Sequence, residues 1–332
     1  MISRAAILGT GSWGTAIACL LAEKLDEVCI IGRNQETADE INSSHTNQHY
    51  IPNFPLAENI IASTNISKAC EYPLVIFVVP TEATEQTANT LSQLDISPDT
   101  IVVSCAKGMS HNTGERMSEI IHRYLPDNPL AVLSGPNHAE EVARSLATCA
   151  VIGSDDAAIA AQLQGIFSNS HFRCYTSDDV AGIELGGAMK NLFGIAAGIA
   201  EGIGLGDNAI AALVTRGLAE MTRLGVALGG RMETFMGLSG VGDLMATCYS
   251  SHSRNNRVGK ELGKGEQLDD IIANLGMVAE GVINTKSIYA AGNKAAIRTP
   301  LIDAIYEILY ENKSAEVALE ELLTRDTRAE ID

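Results

Sequence analysis

Lys190 stands without charged neighbours in a run of glycine, alanine and large aliphatic residues, AMKNLFGIAAGIA (188–200). If residues 181–200 form a helix, Glu184 and Asn191 share one face and Lys190 points about 120° away from Glu184. The lysine's own side then carries Ile183, Gly186, Gly187, Gly194 and Ala197, with no acidic partner one turn away. Such a lysine either runs its stem past a neighbouring segment to reach water or meets an anion in a cleft. In the second case desolvation lowers its pKa from about 10.4 and makes it usable for proton transfer. Spacing alone leaves both open. Gly182, Gly186, Gly187, Gly194 and Gly198 would each cost about 1 kcal/mol relative to alanine inside a helix, so close approach of another helix or of a ligand must offset them.

Other residues could serve an anionic substrate. Lys107 follows the apolar run IVVSCA in AKGMS, and Gly135 follows LAVLS in SGPNHAEE. Both stand where a strand leaves a sheet, and there Lys107 is either an ordinary surface lysine or part of a cleft. GLSGVGDL (237–244) has no strand before it and reads as a tight interhelical turn that delivers Asp243. In SSHSRNNRVGKELG, Ser253 is a natural N-cap with Arg254, Asn255, Asn256 and Arg257 in the first turn. Helix dipoles disfavour cations there, so the turn either expects an anion or is a solvated basic turn. His45 and His49, four apart in a polar loop, lack the cysteine or carboxylate partners of a metal site, and no metal is expected.

Near the start, ILGTGSWGTAIACLLA spaces Gly9, Gly11 and Gly14 as G-x-G-x-x-G between a strand and an apolar helix. In a dinucleotide site the first glycine makes the turn and the second admits the pyrophosphate, while the third packs helix on strand. Arg33 stands nineteen residues after Gly14, where an acidic residue would bind the ribose 2′-OH of NAD. An arginine suits the 2′-phosphate of NADP and could equally stack on the adenine. Trp13, the only tryptophan, either packs or shields a ligand.

These residues need a scaffold. The runs at 5–9, 27–33, 74–80, 100–108, 130–136 and 149–154 are continuously apolar and alternate with helical stretches, the pattern of a mostly parallel sheet covered on both faces. From about residue 180 helical periodicity takes over, so the expected division is an α/β dinucleotide-binding domain over 1–180 and an all-α domain over 181–332. A chain of 332 residues, 46 % hydrophobic and 19 % charged, can bury cores of that size. Its net charge of −18 disfavours nucleic acid and anionic membrane as partners. Ten uncharged residues between Lys190 and Glu201 fall short of the roughly 18–20 of a membrane span. Seven scattered cysteines, none in a CxxC pair, read as free thiols of a reducing cytoplasm.

Longer blocks carry a resemblance: GTGSWGTA, AKG, LSGP, MKNLFGIAAGIAEGIGLGDNAIAALVTRGLAEMTRLGVALGG, GLSGVGDLMATCYSSHSRNNRVG and AEGV. In these, in this order, the sequence resembles the bacterial NAD(P)-dependent glycerol-3-phosphate dehydrogenases over essentially its whole length. The resemblance implies a Rossmann-like domain followed by a helical one, with the active site between them, in a cytoplasmic homodimer. It implies reversible hydride transfer between NADP(H) or NAD(H) and C2 of dihydroxyacetone phosphate, giving sn-glycerol 3-phosphate for phospholipid synthesis. Lys190 would be the general acid/base, Lys107 a second active-site lysine touching substrate, and Asp243 a substrate contact that holds a lysine. Gly135, Ser253, Arg254 and Asn255 would take up the substrate. Ser12, Trp13, Arg33, Lys107, Ala139, Arg254, Val278 and Glu280 match cofactor contacts, beside the three glycines of the loop. Two departures lie near the cofactor: Ser110 replaces a frequent acidic residue, and Asn137-His138 replaces the usual Ser/Thr-Phe. The remaining alternatives are a related dehydrogenase of another hydroxy acid or phosphosugar, and a catalytically silent dinucleotide sensor.

Overall fold

The computed structural model describes residues 2–250, 253–275, 279–327 and 329–330. The chain begins with β1 (Arg4–Leu8), α1 (Ser12–Ala22), β2 (Glu27–Ile31) and α2 (Gln35–Ser44). A small antiparallel hairpin, β3 (Thr46–Asn47) and β4 (Ile51–Pro55), precedes β5 (Ile60–Ser63). Then come β6 (Leu74–Phe77), α3 (Thr81–Ser92), β7 (Ile101–Ser104), α4 (Met117–Tyr124), β8 (Leu130–Ser134) and α5 (Ala139–Ala143). The first part closes with β9 (Thr148–Gly153), α6 (Ala157–Phe167) and β10 (Phe172–Ser177).

Eight of these strands form one sheet in the order β10-β9-β8-β7-β6-β1-β2-β5. Its central strands are Val/Ile/Leu runs buried on both faces, with β1 parallel to both β2 and β6. That is why they read as unbroken apolar segments. The strands stop earlier than the apolar runs do, because the residues beyond them turn out of the sheet to build loops. Two sheet strands escaped the sequence reading, β5 and β10, and they are the two edges. An edge strand needs no continuous apolar run; in β10 buried Phe172 and Cys174 alternate with exposed Arg173 and Tyr175.

One pairing breaks the parallel pattern. β9 runs antiparallel to β8, and β10 runs parallel to β9. The chain therefore leaves β10 level with the middle of β8 and heading toward its amino-terminal end: Ser177 pairs with Gly153, which pairs with Val132. The next helix starts there and runs along β8 toward the carboxyl edge of the sheet.

That helix is α7 (Val180–Ile203), N-capped by Asp179, which accepts from the Gly182 amide at 2.9 Å. After it come α8 (Asp207–Ala227), α9 (Met232–Phe235), α10 (Asp243–Tyr249), α11 (Arg254–Gly263), α12 (Leu268–Leu275), α13 (Glu280–Lys294), α14 (Pro300–Tyr310) and α15 (Ala315–Thr324). α7 is the centre of the helical region and is buried from Gly182 to Ala200. The five glycines counted against it are explained by close approach. A Cβ at Gly186 would lie 2.5 Å from the Ser239 carbonyl oxygen, and one at Gly194 would lie 2.7 Å from the Thr247 side chain. One at Gly198 would run into the Asn256 backbone of α11. Among the described residues, no helix is long and apolar enough to cross a membrane.

Candidate active site

α7 follows β8 outward: Ile183 lies against Gly153 and Val132, Gly187 against Ser134 and the Lys107 stem. One turn further on, Lys190 reaches the carboxyl edge of the sheet. Its partner comes from another helix. GLSGVG ends in a π-type turn, Leu238–Gly242, and α10 starts at once with Asp243, as the glycine spacing predicts. Lys190 Nζ lies 3.0 Å from Asp243 Oδ1 and donates to Thr247 Oγ1 at 2.7 Å. Asp243 Oδ2 accepts from Lys107 Nζ at 2.8 Å, and Lys107 also donates to the Gly135 carbonyl and to Asn137 Oδ1. One buried carboxylate thus bridges two ammoniums.

The electrostatics follow from that geometry. Burial pushes the Lys190 pKa down to about 8, the nearby Lys107 charge adds to the fall, and Asp243 opposes it. Burial works to raise Asp243, but the Lys107 and Lys190 charges outweigh it and hold the carboxyl below its usual range. Two cations against one anion leave the cleft locally positive in a protein of net charge −18.

The Lys107 backbone is fixed as firmly as its side chain. Its carbonyl accepts from Asn191 Nδ2 at 3.3 Å and from Asn284 Nδ2 at 2.9 Å. Gly135 turns the chain out of β8 at φ +139°, and a Cβ there would press on the Ala150 backbone at 3.0 Å. Only glycine fits this position.

α11 aims its N-terminus at the same region. Ser253 caps it through the Asn256 amide at 3.2 Å, as the sequence predicts, and Arg254 extends from the first turn with its side chain exposed. Asn255 is buried, its amide donating to Asn191 Oδ1 at 2.8 Å and accepting from the Gly281 N–H at 3.0 Å. Its side chain is therefore committed to protein contacts. Its backbone N–H lies in the first turn, where such groups lack helical partners.

The glycine loop has the shape a dinucleotide needs. Gly9 turns at φ +128° close to the Val78 carbonyl, and Gly14 packs on the Gly9 carbonyl. A Cβ at Gly11 would meet nothing within 4 Å, and α1 has no side-chain cap. Open space before a bare helix N-terminus fits a pyrophosphate. Ser12 opens α1 and donates to the Tyr50 carbonyl at 3.0 Å. Trp13 packs on the sheet core, as does Ala139, the first residue of α5. Arg33 is exposed two residues past the end of β2. Glu280, at the start of α13, accepts from Thr81 Oγ1 at 2.8 Å across the cleft, and burial raises its pKa. Val278 lies outside the described residues.

Comparison with known proteins agrees with this geometry. The family model for the NAD-dependent glycerol-3-phosphate dehydrogenase N-terminus matches residues 4–160, and that for the C-terminus matches 179–320. The chain belongs to the NAD-dependent glycerol-3-phosphate dehydrogenase family. A glycerol-3-phosphate dehydrogenase (NAD(P)+) of Enterococcus faecalis is 45 % identical, covering 99 % of this chain and 98 % of that one. One of Pediococcus pentosaceus is 43 % identical over the whole of both. The crystal structure of glycerol-3-phosphate dehydrogenase from Coxiella burnetii superposes with a TM-score of 0.93 at 37 % identity, covering 98 % of this chain and 99 % of that one.

Within this glycerol-3-phosphate dehydrogenase family fold, four contact residues were not picked out as site residues from the sequence. Thr247 shares a face with Asp243 one turn on, a spacing that could have flagged it. Asn137 was noted only as a departure, yet it holds Lys107. Asn191 and Asn284 carried no signal, since a lone asparagine on a helix says nothing about which carbonyl it will meet. Ser110 lies beside the cleft mouth, its amide donating to the Glu115 carbonyl and its hydroxyl accepting from the Thr113 amide.

Proposed function

We propose that this chain catalyses reversible reduction of dihydroxyacetone phosphate at C2, giving sn-glycerol 3-phosphate. The observation that carries the reading is the Lys190–Asp243–Lys107 bridge at the sheet's carboxyl edge, between the glycine loop and the α11 N-terminus. Bound NADPH or NADH supplies the hydride, and the oxidised form takes it back. The protein's part is orientation and a proton. Lys190 as ammonium polarises the C2 oxygen and donates its proton to it as the C–H bond forms; in reverse, neutral Lys190 removes that proton. Asp243 keeps both lysines in place, and the ammonium of Lys107 adds positive charge beside the developing oxyanion.

The phosphate sits on the first turn of α11, where Ser253, Arg254 and the Asn255 backbone receive it, with Gly135 close to the substrate. Gly9, Gly11, Ser12, Trp13, Gly14, Ala139 and Glu280 line the cofactor side, and Arg33 favours the 2′-phosphate of NADP. The functional division falls near residue 180, with the sheet domain binding cofactor and the helical one binding substrate. A small-molecule phosphate, rather than nucleic acid, is the partner that suits a basic cleft on an acidic protein. We place the enzyme in the cytoplasm as a homodimer that feeds phospholipid synthesis.

The test follows the absorbance of the reduced nicotinamide with dihydroxyacetone phosphate, using NADPH and NADH in parallel, with and without inorganic phosphate. Oxidation of cofactor, slowed competitively by phosphate, supports the reading. No oxidation by folded, cofactor-bound protein defeats it.

A further inference from the structure

His138 occupies a place the mechanism above does not use. It follows Asn137, which holds Lys107, and it is the N-cap residue of α5. Its Nε2 lies 3.3 Å from the carbonyl oxygen of Ala246 in α10. Ala246 stands between Asp243 and Thr247, the two residues that hold Lys190. A carbonyl oxygen only accepts, so Nε2 carries the hydrogen in this contact. α10 is short, enters from a glycine-rich turn and has no side-chain cap at its start. Contacts from outside must therefore set its position. Lys107–Asp243 is one polar link from the sheet domain's loops to α10, and His138–Ala246 is another.

We propose that His138 is a positioning residue, whose hydrogen bond to Ala246 keeps Asp243 and Thr247 in register with Lys190. The charged groups that act on its ring are Lys190 on α7, Lys107 after β7 and Asp243 at the start of α10. Burial first, then Lys190, holds its pKa below the usual histidine value. At neutral pH the ring is thus an uncharged donor and adds no third cation to the cluster. This assignment rests on Lys190 being the acid/base group.

The experiment compares His138→Phe, which keeps a ring but loses the donor, with His138→Gln, whose amide can donate from a similar position. The full chain is assayed for kcat against pH with NADPH and dihydroxyacetone phosphate. His138→Phe should lower kcat roughly three- to tenfold, the scale of one hydrogen bond, with KM for NADPH within about twofold. Its alkaline limb should move to lower pH, because a loosened Asp243 raises the Lys190 pKa less. His138→Gln should restore both. An unchanged kcat and limb in His138→Phe overturns the proposal. So does a loss that His138→Gln fails to rescue, because a donor at that position would then not be what His138 contributes. If circular dichroism shows His138→Phe unfolded, His138→Met takes its place in the same comparison. Lys190→Ala runs alongside: full turnover there defeats the acid/base reading itself, whereas a dead Lys190→Ala with a normal His138→Phe defeats only the positioning role.

Discussion

Asp243 Oδ1 lies 3.0 Å from Lys190 Nζ while Asp243 Oδ2 lies 2.8 Å from Lys107 Nζ. A buried lysine without a carboxylate would shed its proton; with Asp243 shared between two lysines, Lys190 is held at about 8. It can therefore give or take a proton near neutrality, and the shared carboxylate sets that balance.

Lys190→Ala should lower kcat by about 10²–10⁴-fold, the range for losing general acid/base catalysis. NADPH affinity, read by fluorescence titration, should stay within about threefold, since the glycine loop is untouched. Near-normal turnover would remove Lys190 from the chemistry.

The pH dependence has a definite sign. With Lys190 as the proposed acid/base group, reduction needs the ammonium, and its kcat should fall as pH rises through about 8, the Lys190 value. Oxidation needs the neutral amine, so its kcat should rise through the same region. Limbs of the same sign in both directions, measured in one buffer series, would contradict the assignment.

Arg33→Asp replaces an exposed guanidinium beyond β2 with a carboxylate that repels a 2′-phosphate and accepts from a 2′-OH. The ratio of kcat/KM for NADPH over NADH should drop by at least tenfold. An unmoved ratio would leave Arg33 as an adenine-stacking residue.

Arg254→Ala removes the guanidinium at the N-terminus of α11. KM for dihydroxyacetone phosphate should rise about tenfold or more, as for a lost charge-assisted contact, and inhibition by inorganic phosphate should weaken with it. An unchanged KM would place the substrate phosphate elsewhere.

Gly198→Ala tests the packing that brings α11 to α7. The added methyl would collide with the Asn256 backbone, which cannot swing aside as a side chain can. Overpacking of this kind costs about 1–3 kcal/mol. A lower Tm is expected, with a raised substrate KM because the capped turn of α11 moves. A Tm equal to that of the parent would show that the helices separate freely.

Much of this arrangement is legible in residue type and spacing. Gly9, Gly11 and Gly14 between a strand and a helix specify the loop at Gly11 because only that order leaves backbone N–H groups facing open space. Ser253 before Arg254 specifies a capped helix start, since a hydroxyl at that point answers a free amide whatever lies around it. The glycines of α7 announce a close neighbour, although not which one. These are local effects, acting within a few residues, so one sequence suffices to read them. Edge strands are less legible: β10 alternates buried with exposed residues, and β5 is a mostly apolar run only four residues long.

The meeting of Lys190, Asp243, Thr247, Lys107 and Asn137 is a different matter. It depends on β9 reversing direction against β8, which starts α7 at the far end of β8 and carries Lys190 out to the sheet's carboxyl edge. It depends too on how closely the glycine faces let α10 and α11 approach. By itself the sequence determined the buried strands, the main helices, the glycine loop and the helix cap, since hydrogen bonding and φ/ψ preference act between near neighbours. Which carboxylate lies beside Lys190, and hence its pKa, was decided by tertiary structure alone, because burial and charge pairing are set by distances between residues far apart in the chain.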